Sequence, residues 1–328
     1  MTFSYNTKAI LLLTAPLIAG GVDPQADVLT RREYRQLAKL LAQLGLQPVD
    51  LLTNQADGFS CELKAAVDPD RLKRLLDRDF QLSQAAEHWQ STSLWVVSHL
   101  DNDYPQRMKE RLSEQTPSVI YGCGDATILN SGGLAVVGSR DVDSSLIEYA
   151  EAVGRLAALA KRPVISGGAR GIDQAAMRGA LTAGGKSVGV LTDSLERSAL
   201  NRENQKLLID GNLVLISPYD PAAAFNIGHA MQRNKVIYSV ADAALVVNSD
   251  YEKGGTWAGA IEQLDKLHLI PLYVRSDGNS SLGLDALLQK GAIPWPNPST
   301  ADDLLDLLQH SSNANKSSHI EQLSLLEI

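Results

Sequence analysis

Three short stretches of the sequence place glycine beside groups that could hold a phosphate. Gly138-Ser139-Arg140 supplies a hydroxyl and a guanidinium directly after an apolar run. In the stretch from Ser166 to Gly171, the glycines permit positive φ angles, so that successive N–H groups can converge on an oxyanion. Gly254-Gly255-Thr256 is the third stretch. Because arginine adds a permanently charged bidentate donor, the first two stretches predict anion binding.

A basic cluster, Arg233-Asn234-Lys235, lies between the second and third stretches. Ligands of open α/β sheets bind beyond the carboxyl ends of the strands, and we expect the cluster there with the glycine turns. Two simpler interpretations stay open, since Gly254-Gly255 is equally typical of tight helix packing and Asp173 is expected to cap its helix or brace Arg170. The predicted phosphate-binding surface comprises Arg140, Ser166, Gly167, Gly168, Arg170, Arg233 and Lys235.

The sequence contains no recognisable catalytic constellation. Neither glycine turn has the spacing GxGxxG or GxxxxGK[ST], and no serine lies in a GxSxG stretch. The 6 histidines are not spaced as metal ligands. We therefore predict no catalytic residue, no metal and no cofactor.

The elements that must position these residues follow from a change of pattern near Leu94. From there, β-branched apolar runs alternate with alanine-rich helical segments, which indicates a parallel sheet covered on both faces. We predict a Rossmann-like, doubly wound, mostly parallel α/β core over 94–297. The predicted strands are Leu94–Val97, Ser118–Tyr121, Leu134–Val137, Pro163–Ile165, Ser187–Leu191, Leu213–Ile216, Ala244–Val247 and Leu269–Tyr273, with helices Leu146–Ala160 and Asp173–Ala183 between some of them.

Two flanking regions complete the predicted domain organisation. Residues 1–93 are expected to be mainly helical, and Thr30 with Glu33 forms a capping-box pattern at one helix start. The apolar run Ile10–Ala19 is too short to span a membrane, so we interpret it as a buried strand or turn. Residues 298–328 read as a short helix, a Ser/Asn linker and an apolar C-terminal peptide.

The charge distribution narrows the choice of partner. The 328 residues carry 30 Lys+Arg against 38 Asp+Glu, a net charge of −8 that argues against a polyanionic partner. From Ser131 to Arg275, however, 15 basic and 15 acidic residues balance, and residues 276–328 alone contribute −5. The core therefore permits modest, salt-sensitive binding of nucleic acid in one groove. The 2 cysteines show no disulfide or zinc pattern, which favours a cytoplasmic location.

The order of the motifs resembles the DprA/Smf family of DNA-processing proteins over roughly 95–295. The resemblance implies an extended Rossmann-like fold, usually dimeric, that binds single-stranded DNA, hands it to the RecA recombinase and performs no enzymatic turnover. The stretches that carry it are Leu100–Pro105, Val136–Arg140, Ser166–Asp173, Gly184–Lys186, Asn204 and Arg233–Ile237. The resemblance implies phosphate contacts at Arg140, Ser166, Gly167, Gly168 and Arg170 and places Arg233, Asn234 and Lys235 at the family's Arg-Asn-Arg cluster. The glycine turns themselves add Gly138, Ser139, Gly254, Gly255 and Thr256 to the predicted DNA or phosphate contacts.

This chain departs from the family pattern at several positions. Lys235 stands where a second arginine is usual, and Gly254-Gly255-Thr256-Trp257-Ala258 replaces the usual Gly-Ser-Leu-Ile-Thr. No winged-helix-like C-terminal domain is expected after Pro298. The chain therefore resembles a divergent branch, for which a role in phage defence or in a toxin–antitoxin pair is an alternative to natural transformation.

Two further hypotheses remain. Gly254-Gly255-Thr256 with Glu262 resembles the GGxGT…E loop of nucleotide phosphoribohydrolases of the lysine-decarboxylase-like group, so a nucleotide-binding or nucleotide-hydrolysing enzyme is the alternative function. The C-terminal stretch Gln322–Leu326 resembles the QL[SD]LF peptide that docks on the sliding clamp. A strand or helix end that folds back on the core explains this stretch equally well.

Overall fold

The structure, a computed structural model, describes residues 3–21, 27–278 and 281–310. Helices alternate with strands from residue 95 onward, as the sequence pattern predicts. The helices are α1 (Tyr5–Thr14), α2 (Arg31–Gln43), α3 (Ser60–Leu63), α4 (Pro69–Leu76), α5 (Asp79–Ser91), α6 (Gln106–Leu112), α7 (Ser144–Leu159), α8 (Ile172–Thr182), α9 (Leu195–Leu200), α10 (Arg202–Ile209), α11 (Ile227–Val240), α12 (Gly254–Glu262), α13 (Leu282–Gln289) and α14 (301–310).

All eight predicted strands are present within the described residues, and a two-residue strand near residue 293 joins them. They are β1 (Trp95–Ser98), β2 (Val119–Gly124), β3 (Leu134–Val137), β4 (Val164–Ser166), β5 (Ser187–Val190), β6 (Leu213–Ser217), β7 (Ala243–Val246), β8 (Leu272–Val274) and β9 (Ile293–Pro294). The α/β, mostly parallel Rossmann-like fold is therefore confirmed. β1 and β2 depart from it, because they pair antiparallel.

The chain divides into two compact units, each described by itself. The smaller unit comprises residues 1–123, 192–201 and 216–225, and the larger one comprises 124–191, 202–215 and 226–328. The sheet of the larger unit runs in the order β6-β5-β4-β3-β7-β8-β9. β3, β4 and β7 are buried along their whole length, which explains their nearly continuous apolar sequences.

The position of β3 in this order creates a crevice. The chain proceeds from β3 through β4, β5 and β6 on one side and then returns to form β7 on the other side of β3. β3 pairs in parallel with both β4 and β7. Such a reversal opens a crevice at the carboxyl ends of the two strands that flank it. Gly138 follows β3 at that edge.

The helices of the smaller unit bury an apolar core around α1. The expectation of a strand or turn at Ile10–Ala19 is wrong for residues 10–14, which complete α1, whereas residues 18–20 do form a turn, of the 3₁₀ type. Ile10, Leu11, Leu12 and Leu13 are all fully buried, so this part of α1 lacks the polar face that gives a helix its sequence period. The capping box at Thr30 and Glu33 is confirmed.

Within the described residues, no helix is both long enough and apolar enough to cross a membrane.

Candidate nucleic-acid interface

The turn after β3 carries Gly138, Ser139 and Arg140 to the edge of the sheet. A Cβ at Gly138 would lie 2.5 Å from Cγ1 of Ile172, so only glycine lets α8 begin this close to the strand. The N–H of Ser139 donates to the carbonyl of Asn248 over 3.2 Å, which links the turn to the loop after β7. Arg140 is exposed at the end of the turn.

The turn after β4 lies directly against the first turn. Gly171 adopts a φ of 85°, and a Cβ there would lie 2.5 Å from the carbonyl oxygen of Ser139. The exposed Arg170 precedes this glycine. The structure thus brings the segments of Arg140 and Arg170 together, as the sequence predicts. Ser166, in contrast, is fully buried, and its hydroxyl donates to the carbonyl of Val136 over 2.6 Å.

Asp173 holds the two turns in place. One oxygen of its buried carboxylate accepts the N–H of Gly138 over 3.3 Å, and the other accepts the N–H of Gly167 over 3.1 Å. Burial raises the pKa of this carboxyl, while the positive charge of Arg233 and the backbone N–H donors oppose the rise. Sequence reasoning expected Asp173 to cap α8 or brace Arg170, and it missed this clamp because Gly138 lies 35 residues away.

Arg233, Asn234 and Lys235 of α11 support the turns from inside the unit. Arg233 is 6% exposed, and its Nη1 donates to the carbonyl of Val190 over 2.9 Å. Lys235 is 8% exposed and pairs with Glu262 of α12 over 3.0 Å. The amide nitrogen of Asn234 donates to the carbonyl of Gly255 over 2.9 Å. The burial of both cations differs from the open surface that the sequence suggests, and their contact with DNA stays a prediction.

The loop after β7 forms the third wall of the site, beside the turns after β3 and β4. Gly254 and Gly255 open α12, and a Cβ at either position would meet nothing within 4 Å, so packing does not exclude a side chain there. Tight helix packing therefore does not explain this glycine pair. The hydroxyl of Thr256 donates to the carbonyl of Gly138 over 2.9 Å and fastens α12 to the first turn.

Arg275 also shapes this wall, although sequence reasoning did not select it. Its side chain is buried, and its Nε donates to the carbonyl of Val247 over 3.0 Å. The sequence carries no signal for this role, because an arginine that follows a strand is equally typical of an exposed edge. Like Arg233, Arg275 holds a backbone carbonyl in position by donating a hydrogen bond to it.

The exposed charges of the three turns are mixed. Arg140, Arg170 and Lys253 face solvent, and so do Asp141, Asp250 and Glu252. Among the described residues, no group of three His, Cys, Asp or Glu side chains could hold a metal ion. The N–H groups of Gly138, Gly167 and Ser139 already donate within the unit, so the exposed guanidiniums are the groups of this arrangement suited to holding phosphates. The acidic neighbours limit how strongly the arrangement attracts a polyanion.

Comparison with known proteins identifies relatives over the same region. Residues 95–309 match the sequence model of a family described as DNA recombination-mediator protein A. The DNA processing protein DprA of Streptococcus pneumoniae is 30% identical over 222 residues, which cover 66% of this chain and 76% of that protein. Protein Smf of Escherichia coli is 33% identical over 204 residues, 59% of this chain and 51% of that protein.

Solved structures share the fold. The X-ray structure of DprA from Streptococcus pneumoniae superposes with a TM-score of 0.67 at 20% identity and covers 93% of this chain and 98% of its own. A second structure, of DNA processing protein A from Helicobacter pylori, concerns that protein's mode of binding single-stranded DNA. It gives a TM-score of 0.52 at 22% identity and covers 66% of this chain and 97% of its own.

Proposed function

The chain belongs to the DprA/Smf family of DNA recombination-mediator proteins, and on that premise we propose that its larger unit binds single-stranded DNA without chemical turnover. One observation carries the proposal: two contacting glycine turns, clamped by the single carboxylate of Asp173, present the exposed Arg140 and Arg170. The single-stranded DNA binding of the Helicobacter pylori protein supports it further.

The chemistry of these groups suits a partner of any base sequence. Guanidinium groups contact phosphates, which are the same at every nucleotide. Arg233, Asn234 and Lys235 act in this proposal by holding the turns and α12 in position. Gly254 and Gly255 keep the edge beside the first turn free of side-chain bulk, and Thr256 fastens α12 to that turn.

The test measures binding of a labelled oligothymidylate as a function of salt concentration. We expect Arg140→Ala with Arg170→Ala to weaken binding by about tenfold or more. The negative slope of log K against log[salt] should become shallower by about 1.4, or about 0.7 for each lost phosphate contact. The matched control is Arg155→Ala with Arg178→Ala, which removes two exposed guanidiniums that both pair with Glu151. Undetectable binding at low salt, or equal effects of the two double variants, would contradict the proposal.

The absence of turnover is tested separately. Glu262, the acid that the phosphoribohydrolase alternative requires, is paired with Lys235. We expect incubation of the full chain with nucleoside monophosphates to release no free base. Release that depends on Glu262 would instead support the enzymatic alternative.

The proposal extends to the partners that the family resemblance implies. We propose a cytoplasmic homodimer that hands single-stranded DNA to RecA. Light scattering gives the mass in solution, and a RecA filament-formation assay with coated DNA tests the hand-over. A defence or toxin–antitoxin role predicts DNA binding without stimulation of RecA.

Docking on the sliding clamp remains a separate proposal. Gln322–Leu326 lies outside the described residues, so its support is the sequence pattern alone. Deletion of 321–328 should abolish capture by purified clamp and leave oligothymidylate binding intact. Unchanged capture after the deletion would reject the docking peptide.

A further inference from the structure

Two aromatic rings lie together in the loop that forms the third wall of the candidate site. Tyr251 follows β7, and Trp257 belongs to the first turn of α12. Their ring centroids are 5.2 Å apart with an interplanar angle of 68°, an edge-to-face arrangement. Tyr251 is 51% exposed, and Trp257 is partly exposed. The pair therefore keeps aromatic surface in contact with solvent.

This aromatic pair is fixed to the glycine turns. Thr256, the residue before Trp257, donates its hydroxyl to the carbonyl of Gly138. Asn234 donates to the carbonyl of Gly255 in the same turn of α12. The tryptophan is thus attached to the backbone of the turn that carries Arg140.

The charges around the rings favour a base over a phosphate. Asp250 and Glu252 flank Tyr251 in the sequence, Lys253 follows, and all three side chains are exposed, so the loop carries a net charge of −1. A hydrogen bond to the Glu252 carboxylate raises the pKa of Tyr251. The net negative charge repels phosphate oxygens, whereas a neutral nucleobase can lie against an aromatic ring without this penalty.

From these contacts we infer that Tyr251 and Trp257 form a stacking site for one unpaired nucleobase of the strand whose phosphates bind Arg140 and Arg170. The inference rests on the proposed function and adds to it a second kind of recognition. The glycine turns hold the backbone, and the aromatic pair distinguishes a strand with bases from a bare sugar–phosphate chain. Unpaired bases expose their faces, so this site selects single strands over duplex.

The test compares an oligothymidylate with an abasic oligonucleotide of the same length and charge, using the full chain. The wild type should prefer the strand with bases by about 5- to 150-fold, the range typical of one base stacked on an aromatic side chain. Tyr251→Ala and Trp257→Ala should each reduce this ratio toward one and leave abasic binding unchanged. Arg140→Ala with Arg170→Ala should weaken both ligands equally and keep the ratio.

The controls separate stacking from loss of structure. Tyr251→Phe and Trp257→Phe keep a ring at each position and should keep most of the preference. Phe80→Ala removes an aromatic ring of the smaller unit that is 70% exposed, and it should change neither affinity. Because Trp257 is partly buried, Tyr251→Ala in the exposed loop provides a variant that does not disturb a helix.

Three outcomes would overturn the inference. A wild type that binds both oligonucleotides equally lacks the stacking site, although the proposed function stands. Variants that weaken both ligands by the same factor would give the aromatic pair a structural role only. A wild type that binds neither oligonucleotide would contradict the proposed function as well.

Discussion

Arg78 in the smaller unit and Asp173 in the larger one are both buried charges whose partners are backbone groups. Arg78 donates to the carbonyls of Leu11, Leu12 and Ala15, at the C-terminal end of α1. Asp173 accepts N–H groups from Gly138 and Gly167, at the carboxyl ends of β3 and β4. The Leu11 carbonyl also accepts the N–H of Ala15 over 2.9 Å. In each case, one buried side chain bonds to backbone groups where a helix or a strand ends.

The two regions differ in what surrounds the clamp. The residues of α1 that Arg78 serves are completely buried, so the arrangement only stabilises the unit. The turns that Asp173 serves end in the exposed Arg140 and Arg170. A buried charge bonded to backbone groups therefore stabilises packing in one unit and positions exposed arginines in the other. The contacted backbone groups are buried in both units, so the exposure of the residues that follow them separates the two roles.

The strongest test of this contrast is Arg78→Met, which keeps volume and removes the donors. Burial lowers the pKa of Arg78, so loss of the charge relieves some desolvation. The Leu11 carbonyl keeps the N–H of Ala15, but the carbonyls of Leu12 and Ala15 lose the Arg78 donor. Their loss should outweigh this gain, because each buried carbonyl left without a donor costs about 1–3 kcal/mol. We expect a net loss of about 4 kcal/mol in the free energy of unfolding. Urea denaturation measures it, with the exposed Arg74→Met as control.

Oligothymidylate binding by Arg78→Met, measured below its unfolding transition, should equal that of the wild type. A selective loss of affinity in the folded variant would break the contrast between the units.

Asp173→Asn should lower both stability and binding. An amide in place of the carboxylate turns one acceptor into a donor that faces a backbone N–H, at a cost of about 3 kcal/mol. The released turns should no longer hold Arg140 and Arg170 in register, so affinity for oligothymidylate should fall by about tenfold. Calorimetry and anisotropy give the two quantities.

The matched control is Asp285→Asn, an exposed acid in the first turn of α13. If Asp173→Asn lowers stability but leaves affinity unchanged, the clamp acts as Arg78 does and the contrast fails.

The sequence predicts the strands of the larger unit well because their surroundings leave a local signature. Strands buried on both faces, such as β3 and β7, need continuous β-branched and alanine residues. The same reasoning fails for α1, since its residues 9–13 are buried on every side and are also continuously apolar. Periodicity cannot separate the two cases for a run as short as Ile10–Ala19.

The candidate site also contains residues whose placement the sequence predicts and residues whose placement it does not. Arg140 and Arg170 are predictable because each follows a glycine turn that immediately ends a strand. The burial of Arg233 and Lys235 is not predictable, because their partners Val190 and Glu262 lie 43 and 27 positions away in the chain. Sequence spacing within α11 says which residues share a helix, whereas only the assembled sheet determines which cations reach solvent.

Two glycine variants test whether contact between the turns matters beyond backbone strain. Gly171 and Gly184 both have positive φ angles, of 85° and 76°, so alanine at either is strained and costs about 1 kcal/mol or more. The ψ of −129° at Gly171 adds to the strain there. A Cβ at Gly171 would also lie 2.7 Å from the carbonyl oxygen of Arg140, whereas one at Gly184 meets nothing within 4 Å.

We expect Gly171→Ala to destabilise the protein by about 2 kcal/mol and Gly184→Ala by about 1 kcal/mol, because the former also forces the turns apart. Only Gly171→Ala should weaken oligothymidylate binding, by several-fold. Equal affinities of the two variants in an anisotropy titration would show that the spacing of the turns is unimportant for DNA.

The smallest expected effect comes from replacing Glu33 in the smaller unit, and it changes only the free energy of unfolding. Its carboxylate accepts from the N–H of Thr30 over 2.8 Å and from Nη1 of Arg71 over 2.6 Å. These contacts, led by the Arg71 hydrogen bond, lower the pKa of Glu33 from 4.5 to about 2. Between these values the unfolded chain binds more protons than the folded one, so stability rises with pH across this window.

Glu33→Gln should therefore cost about 1 kcal/mol near neutral pH, a value discounted for the partial exposure of the pair. The difference from the wild type should shrink as the pH falls from about 4.5 toward about 2, since protonation then removes the same charge from the native residue. Urea denaturation at a series of pH values measures this difference, and Glu87→Gln on α5 serves as the control. A difference that stays constant with pH would assign the effect to packing. Altered oligothymidylate binding by Glu33→Gln would show that charges of the smaller unit also contribute to DNA binding, which the contrast assigns to the turns held by Asp173.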